Sequence, residues 1–144
     1  MNLFGMLEVS GSALTAERQR AEVVTSNMAN METTRTPEGG PYRRQLVVFR
    51  SRRMPQFPAL LAGFGNVSAR GVQVDQVIAD AKPPLLRYQP GHPDADAKGY
   101  VSYPAVDPVE ETADLLGAVR AYELNASAVQ SAKTMIQQSL DLLR

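Results

Sequence analysis

From Leu115 onward every seventh residue is apolar or aromatic, giving Leu115, Tyr122, Val129, Ile136 and Leu143; the row four residues on is Val119, Ala126, Lys133 and Leu140. Apolar residues at this spacing share one stripe of an α-helix, which the pattern predicts from Asp107 to Arg144. The start is marked as clearly: Asp107 suits the N-cap, Pro108 the first turn, and Glu110 the far end of a capping box. Glu110, Glu111 and Asp114 put negative charge at the positive end of the helix dipole, and Arg144 closes the other end. At about 1.5 Å per residue the helix is roughly 50 Å long, more than the core of one small domain can cover. Its stripe needs a partner.

A second helix is predicted from about Leu3 to Asn30. Its cleaner row is Leu7, Leu14, Ala21 and Met28; a second row, Leu3, Ser10, Glu17, Val24 and Met31, is interrupted by polar residues. A spacing of seven over four turns is a coiled-coil pattern. Two striped helices at the two ends of a short chain leave two arrangements open. Either they close on each other over the middle, or their stripes are shared with neighbouring subunits and order on assembly.

Between them, Thr33 to Pro41 is too rich in Pro and Gly for helix or strand and reads as a loop. Tyr42 to Arg50, the stretch around Val72 to Ile78, Leu85 to Tyr88 and Gly99 to Tyr103 are strand candidates, with Pro90-Gly91-His92-Pro93 as a turn. Ser51 to Asn66 carries Pro55, Pro58, Gly63 and Gly65 and reads as irregular. The expectation is an α+β chain whose long N- and C-terminal helices pack as a coiled-coil-like pair around a small, mostly β insert. Its segments are an N-terminal assembly helix (1–32), a β-rich insert with an irregular loop at 51–70 (33–106), and a C-terminal assembly helix (107–144).

The side-chain inventory argues against chemistry. Fifteen acidic residues balance fifteen basic ones, so the chain has no general pull towards nucleic acid or anionic lipid. With no cysteine and one histidine, a thiol zinc site is impossible and a histidine-rich metal site is not expected. Asp94-Ala95-Asp96-Ala97-Lys98-Gly99 opens like a calcium loop, but Lys98 repels a cation at the fifth position and Ala105 stands where a bidentate glutamate is needed. His92 with Asp94 and Asp96 lacks an oxyanion-stabilising group and reads as a polar turn. Arg43, Arg44, Arg50, Arg52 and Arg53 form a local basic patch, read as a solvated strand face or an ionic contact to a neighbour. Gly63-Phe64-Gly65 is too short for a dinucleotide fingerprint, and Met28, Met31 and Met135 read as packing residues. No catalytic residue, cofactor or metal ligand is expected. The first residues lack a basic leading region and a cleavage site, and no apolar run reaches the roughly 20 residues that span a bilayer. By these rules alone the chain is cytoplasmic.

Gly11-Ser12-Ala13-Leu14-Thr15-Ala16, Gln19-Arg20 and Ser26-Asn27-Met28-Ala29-Asn30 resemble the N-terminal signature of the flagellar axial family, a helix ending in Asn-Leu-Ala-Asn. Pro41-Tyr42-Arg43, Val47-Val48-Phe49, Tyr88 to Pro93, Ala95 to Val101 and Pro104 to Asp107 extend the resemblance nearly end to end, towards proximal-rod members. The resemblance implies a non-enzymatic subunit of the basal-body rod, exported without a cleaved signal through the flagellar type III apparatus. It would polymerise in the periplasm into a hollow shaft carrying torque from the membrane ring towards the hook. The implied partners are further copies of this chain, the rod proteins FlgB, FlgF and FlgG, the adaptor FliE and the ring protein FliF. Nucleic acid and direct membrane insertion are not implied.

On this reading the site residues are subunit-interface residues: Leu7, Leu14, Ala21, Val24, Asn27, Met28 and Asn30 on the first helix, and Leu115, Val119, Tyr122, Val129, Ile136, Leu140 and Leu143 on the last. Two other classes stay open on sequence alone. One is a soluble adaptor or export-chaperone-like helical module; the other is a wall hydrolase using Asp94, Asp96 or Glu110 as acids.

Overall fold

The computed structural model describes residues 3–52 and 71–142. Leu143, Arg144, Arg53, Gly63-Phe64-Gly65 and most of the expected irregular loop therefore lie outside the described residues. Helix α1 (Leu3–Ala29) is followed by β1 (Gln45–Ser51), β2 (Val72–Ala79), β3 (Leu85–Tyr88), β4 (Tyr100–Tyr103) and helix α2 (Pro108–Asp141). The two long helices pack against each other with a small antiparallel β insert between them in the chain, as the period-seven pattern and the Pro/Gly punctuation predict.

Each boundary has a local cause. At the end of α1 the Asn30 amide turns back, its Nδ2 donating to the Ser26 carbonyl at 2.8 Å, and the Thr33 hydroxyl donates to Asn30 Oδ1 at 3.2 Å. At the start of α2, Asp107 Oδ1 accepts the Val109 N–H at 2.9 Å, and the Asp107 carbonyl accepts the Glu111 N–H at 3.0 Å. Asp107 is thus the N-cap. The second half of the expected capping box is absent: the Glu110 carboxylate is taken by Arg44, a cationic donor where the box offers a neutral backbone N–H.

The strands form two two-stranded sheets, β1 with β2 and β3 with β4. Bonds near the two ends of the first pair, Arg52 N–H to the Gly71 carbonyl (2.8 Å) and Asp80 N–H to the Arg44 carbonyl (2.7 Å), run antiparallel. In the second pair Leu85 faces Tyr103 and Tyr88 faces Tyr100.

The chain packs as two compact units. One takes 1–19, 49–75 and 118–144; among its described residues Ser10, Ala16, Ala118 and Ala132 are buried. The other takes 20–48 and 76–117 and buries Val24, Asn27, Arg44, Val101, Tyr103, Val106 and Glu111.

The covered row of each helix differs from the most apolar one. On α2 the buried residues Glu111, Ala118 and Ala132, with half-buried Asn125, recur every seven positions. The predicted stripe splits beside them: Leu115, Val129 and Ile136 are half-buried, while Val119, Tyr122 and Leu140 are exposed. On α1 the interrupted row is the covered one, with Ser10 and Val24 buried and Glu17 half-buried, whereas Leu7, Leu14, Ala21 and Met28 are half-buried. Small side chains permit close helix approach, and the bulky ones are displaced to the flanks.

Candidate assembly surface and its internal anchor

Asn27 is 1% exposed, and both ends of its amide are fully used. Oδ1 accepts the Gln45 N–H at 2.8 Å and the Tyr42 hydroxyl at 2.9 Å; Nδ2 donates to the Gln45 carbonyl at 2.9 Å and to Glu111 Oε2 at 3.0 Å. The side chain therefore imitates a neighbouring strand, pairing both backbone groups of the first residue of β1. Buried backbone groups need such partners, and an Asn amide carries the matching donors and acceptor.

Glu111, fully buried, joins that amide to an ion cluster. Its Oε1 accepts Arg44 Nε, Arg44 Nη1 reaches Glu110 Oε1 at 2.9 Å, and Arg44 Nη2 reaches Asp114 Oδ2 at 3.4 Å. Arg20 Nη2 closes the group on Asp114 Oδ1 at 3.1 Å. Burial works against the Arg44 charge, but hydrogen bonds and attraction from Glu111, then Glu110, outweigh it and raise the guanidinium pKa above its ordinary value. Arg44 consequently does not belong to a solvated basic patch. Of its sequence neighbours, Arg43 is exposed and Arg50 pairs with Asp75 at 2.7 Å.

A second, simpler anchor lies nearer the start of α1. Ser12 Oγ donates to the Val9 carbonyl at 2.7 Å and accepts the Val72 N–H at 3.0 Å, at the first residue of β2. A Cβ at Gly71 would collide with that Oγ, so the close approach requires glycine there.

The polar turn between β3 and β4 is built as its composition predicts. Asp96 Oδ1 accepts both the Lys98 and the Tyr100 N–H at 2.8 Å, and Gly99 holds a φ of 83°. Asp94 Oδ2 accepts the Thr34 hydroxyl at 2.8 Å. The three carboxylates considered as acids, Asp94, Asp96 and Glu110, are thus each engaged in holding backbone, loop or arginine. Among the described residues no three histidines or carboxylates group as a metal site, and no helix is long and apolar enough to cross a membrane.

Large apolar side chains remain on the outside of the helices. Leu124 is 72% exposed and Leu142 88%, with Leu116, Val119, Tyr122, Met135 and Leu140 also exposed on α2 and Phe4 on α1. Scattered exposed apolar residues are ordinary; here the row that α2 covers carries Ala118 and Ala132, and the bulkier apolar side chains lie outside it.

Comparison with known proteins agrees with this arrangement of ends and insert. The family model described as Flagella basal body rod protein matches residues 7–35, and the one described as Flagellar basal body rod FlgEFG protein C-terminal matches residues 97–142. The flagellar basal-body rod protein FlgC of Borreliella burgdorferi is 41% identical over 154 aligned positions, covering 100% of this chain and 99% of the relative. The chain belongs to the FlgC family. Similar proteins of that name from Bacillus subtilis and Escherichia coli O6:H1 are 42% and 39% identical over 99% of this chain. These relatives are named as rod proteins and give no support to an adaptor or export chaperone.

Within this FlgC-family chain the described residues of the expected interface set fall into four groups. Val24 and Asn27 are covered inside the chain and offer a neighbour no surface, because Asn27 is consumed by Gln45, Tyr42 and Glu111. Asn30 is committed to the end of α1 through Ser26 and Thr33. Leu7, Leu14, Ala21, Met28, Leu115, Val129 and Ile136 keep part of their surface, and Val119, Tyr122 and Leu140 are open; Leu143 lies outside the described residues. Leu116, Leu124 and Leu142, also exposed, fall off the heptad row, and the heptad pattern gives no sign of the Arg44 cluster. One local signal for the cluster exists: Arg44 is in phase with Tyr42, Leu46 and Val48, a charge on the apolar side of a period-two segment.

Proposed function

We propose that this chain is a structural, non-enzymatic subunit of the flagellar basal-body rod, polymerising through its terminal helices into the hollow shaft that carries torque from the membrane ring towards the hook. One observation carries the reading: a chain related end to end to FlgC rod proteins leaves its bulky apolar helix residues outside an alanine seam. A head-to-tail contact whose rotation does not close covers such a surface along a helical tube. Its partners on this reading are further copies of itself and the neighbouring rod proteins FlgB, FlgF and FlgG, with FliE and FliF at the membrane-ring end. It works in the periplasm after passage through the flagellar type III export apparatus, with no signal cleaved. Electron microscopy of basal bodies from a strain lacking this gene, beside a complemented strain, tests the reading. Membrane rings without rods or hooks are expected; intact rods with normal hooks would remove it.

A further inference from the structure

In the second sheet β4 is covered and β3 is open: Val101 and Tyr103 are buried, whereas Leu85 to Tyr88 are all exposed, Leu86 and Tyr88 each at 65%. The Gln89 N–H donates to the Gly99 carbonyl at 2.8 Å. Antiparallel strands alternate residues that bond the partner with residues that turn away from it, so Arg87 and Leu85 bond β4 while Leu86 and Tyr88 turn outward. Tyr100, opposite Tyr88, agrees: its N–H donates to Asp96 Oδ1 and its carbonyl accepts the Asp96 N–H, both at 2.8 Å, so its backbone groups also point away from β3. Edge strands are ordinarily guarded by charge, proline or a bulge. Here Pro83, Pro84 and Pro90 flank the strand instead of interrupting it, and its one charged side chain, Arg87, is laid over the Tyr103 ring at 4.7 Å. The end of β2 is a second edge of the same kind. The Asp80 N–H donates to the Arg44 carbonyl, so the same alternation turns Ala79 and Val77 away from β1, and residues 76–79 are exposed and carry neither charge nor proline.

We propose that the outward edge of β3, at Leu86 and Tyr88, takes the β2 edge of a second copy of this chain, at Val77 and Ala79, as an added strand. Closure decides between partners. A β3 edge paired with another β3 edge is a two-fold contact that ends at a dimer, whereas two unlike edges on one chain pair head to tail without limit. The contact rests on the rod reading and gives the β insert a part in assembly beside the helices.

The sequence contains no cysteine, so introduced thiols are unambiguous. The full-length chain carrying Leu86→Cys and Val77→Cys, both at exposed positions, is expressed beside the wild-type chain, and purified basal bodies are treated with a short bismaleimide. Crosslinked dimers and higher species are expected from the double variant, with at least a tenfold loss of dimer from either single variant. Monomer alone from the double variant would overturn the proposal and leave the rod reading intact, and dimer from Leu86→Cys alone would overturn the pairing of unlike edges. Absence of the wild-type chain from the basal bodies would instead remove the rod reading. Leu86→Pro deletes an outward N–H but no bond to β4, so as the sole copy it should keep the urea midpoint of the purified chain and lose swimming, while Leu86→Ala keeps both. A swimming Leu86→Pro strain would overturn the proposal.

Discussion

Among the described residues, Ser12 and Asn27 each fasten α1 to the β insert, and the two fastenings differ in what else they need. Ser12 gives one bond to the strand at Val72 and one to its own helix, so it is satisfied by two pieces of chain. Asn27 gives two bonds to the backbone of Gln45, one to Tyr42 and one to Glu111, so it is complete only when helix, loop, strand and α2 are all in place. A hydroxyl can be a local clip. A fully used amide beside a buried ion pair is a junction, and its cost when broken is set by the groups left behind.

The largest effect should come from the far side of the junction. Glu111→Ala removes the buried partner of Arg44 Nε and of the Asn27 amide, leaving the guanidinium only the more exposed Glu110 and Asp114, and is expected to cost about 3 kcal/mol in urea unfolding followed by circular dichroism. Asn27→Ala should follow at about 2–3 kcal/mol, from the unpaired Gln45 backbone and Tyr42 hydroxyl. Because these two residues share a bond, the double variant should lose less than the sum of the singles; strict additivity would mean that the junction is not one network. Ser12→Ala should cost about 1 kcal/mol and add independently to Asn27→Ala, and a loss equal to that of Asn27→Ala would erase the contrast between the two anchors. Smallest in stability is Leu124→Asp, expected to fall within about 0.5 kcal/mol of wild type because the side chain is exposed. It should nevertheless abolish complementation of motility in the deletion strain, and normal swimming would show that Leu124 is not part of the assembly surface.

What could be read from the sequence was whatever is local. The limits of α1 and α2, the Asp107 cap and the Asp96/Gly99 turn follow from heptad spacing and from Asp, Pro and Gly acting within a few residues. The junction does not. Arg44 and Glu111 look like a member of a basic patch and a helix-dipole charge until their 67-residue separation is closed. The covered row is not legible for a related reason: hydrophobicity ranks Leu over Ala and Ser, yet on α1 the interrupted row of Ser10, Glu17 and Val24 is the one that is covered. Bulk then marks the outer surface, where Leu116 and Leu124 fall off the heptad because what they face is not the partner helix of the same chain.

The Arg44 cluster also sets a clock. Its bonds join residues 66 to 94 positions apart, so during synthesis from the N-terminus Asn27 and Arg44 wait unsatisfied until the acidic turn of α2 has emerged. At roughly 5–20 residues per second that interval is several seconds, long compared with the formation of either helix alone. A chain whose tightest junction is written last remains a pliable thread while most of it is being made, and becomes a rigid part only when nearly all of it is present.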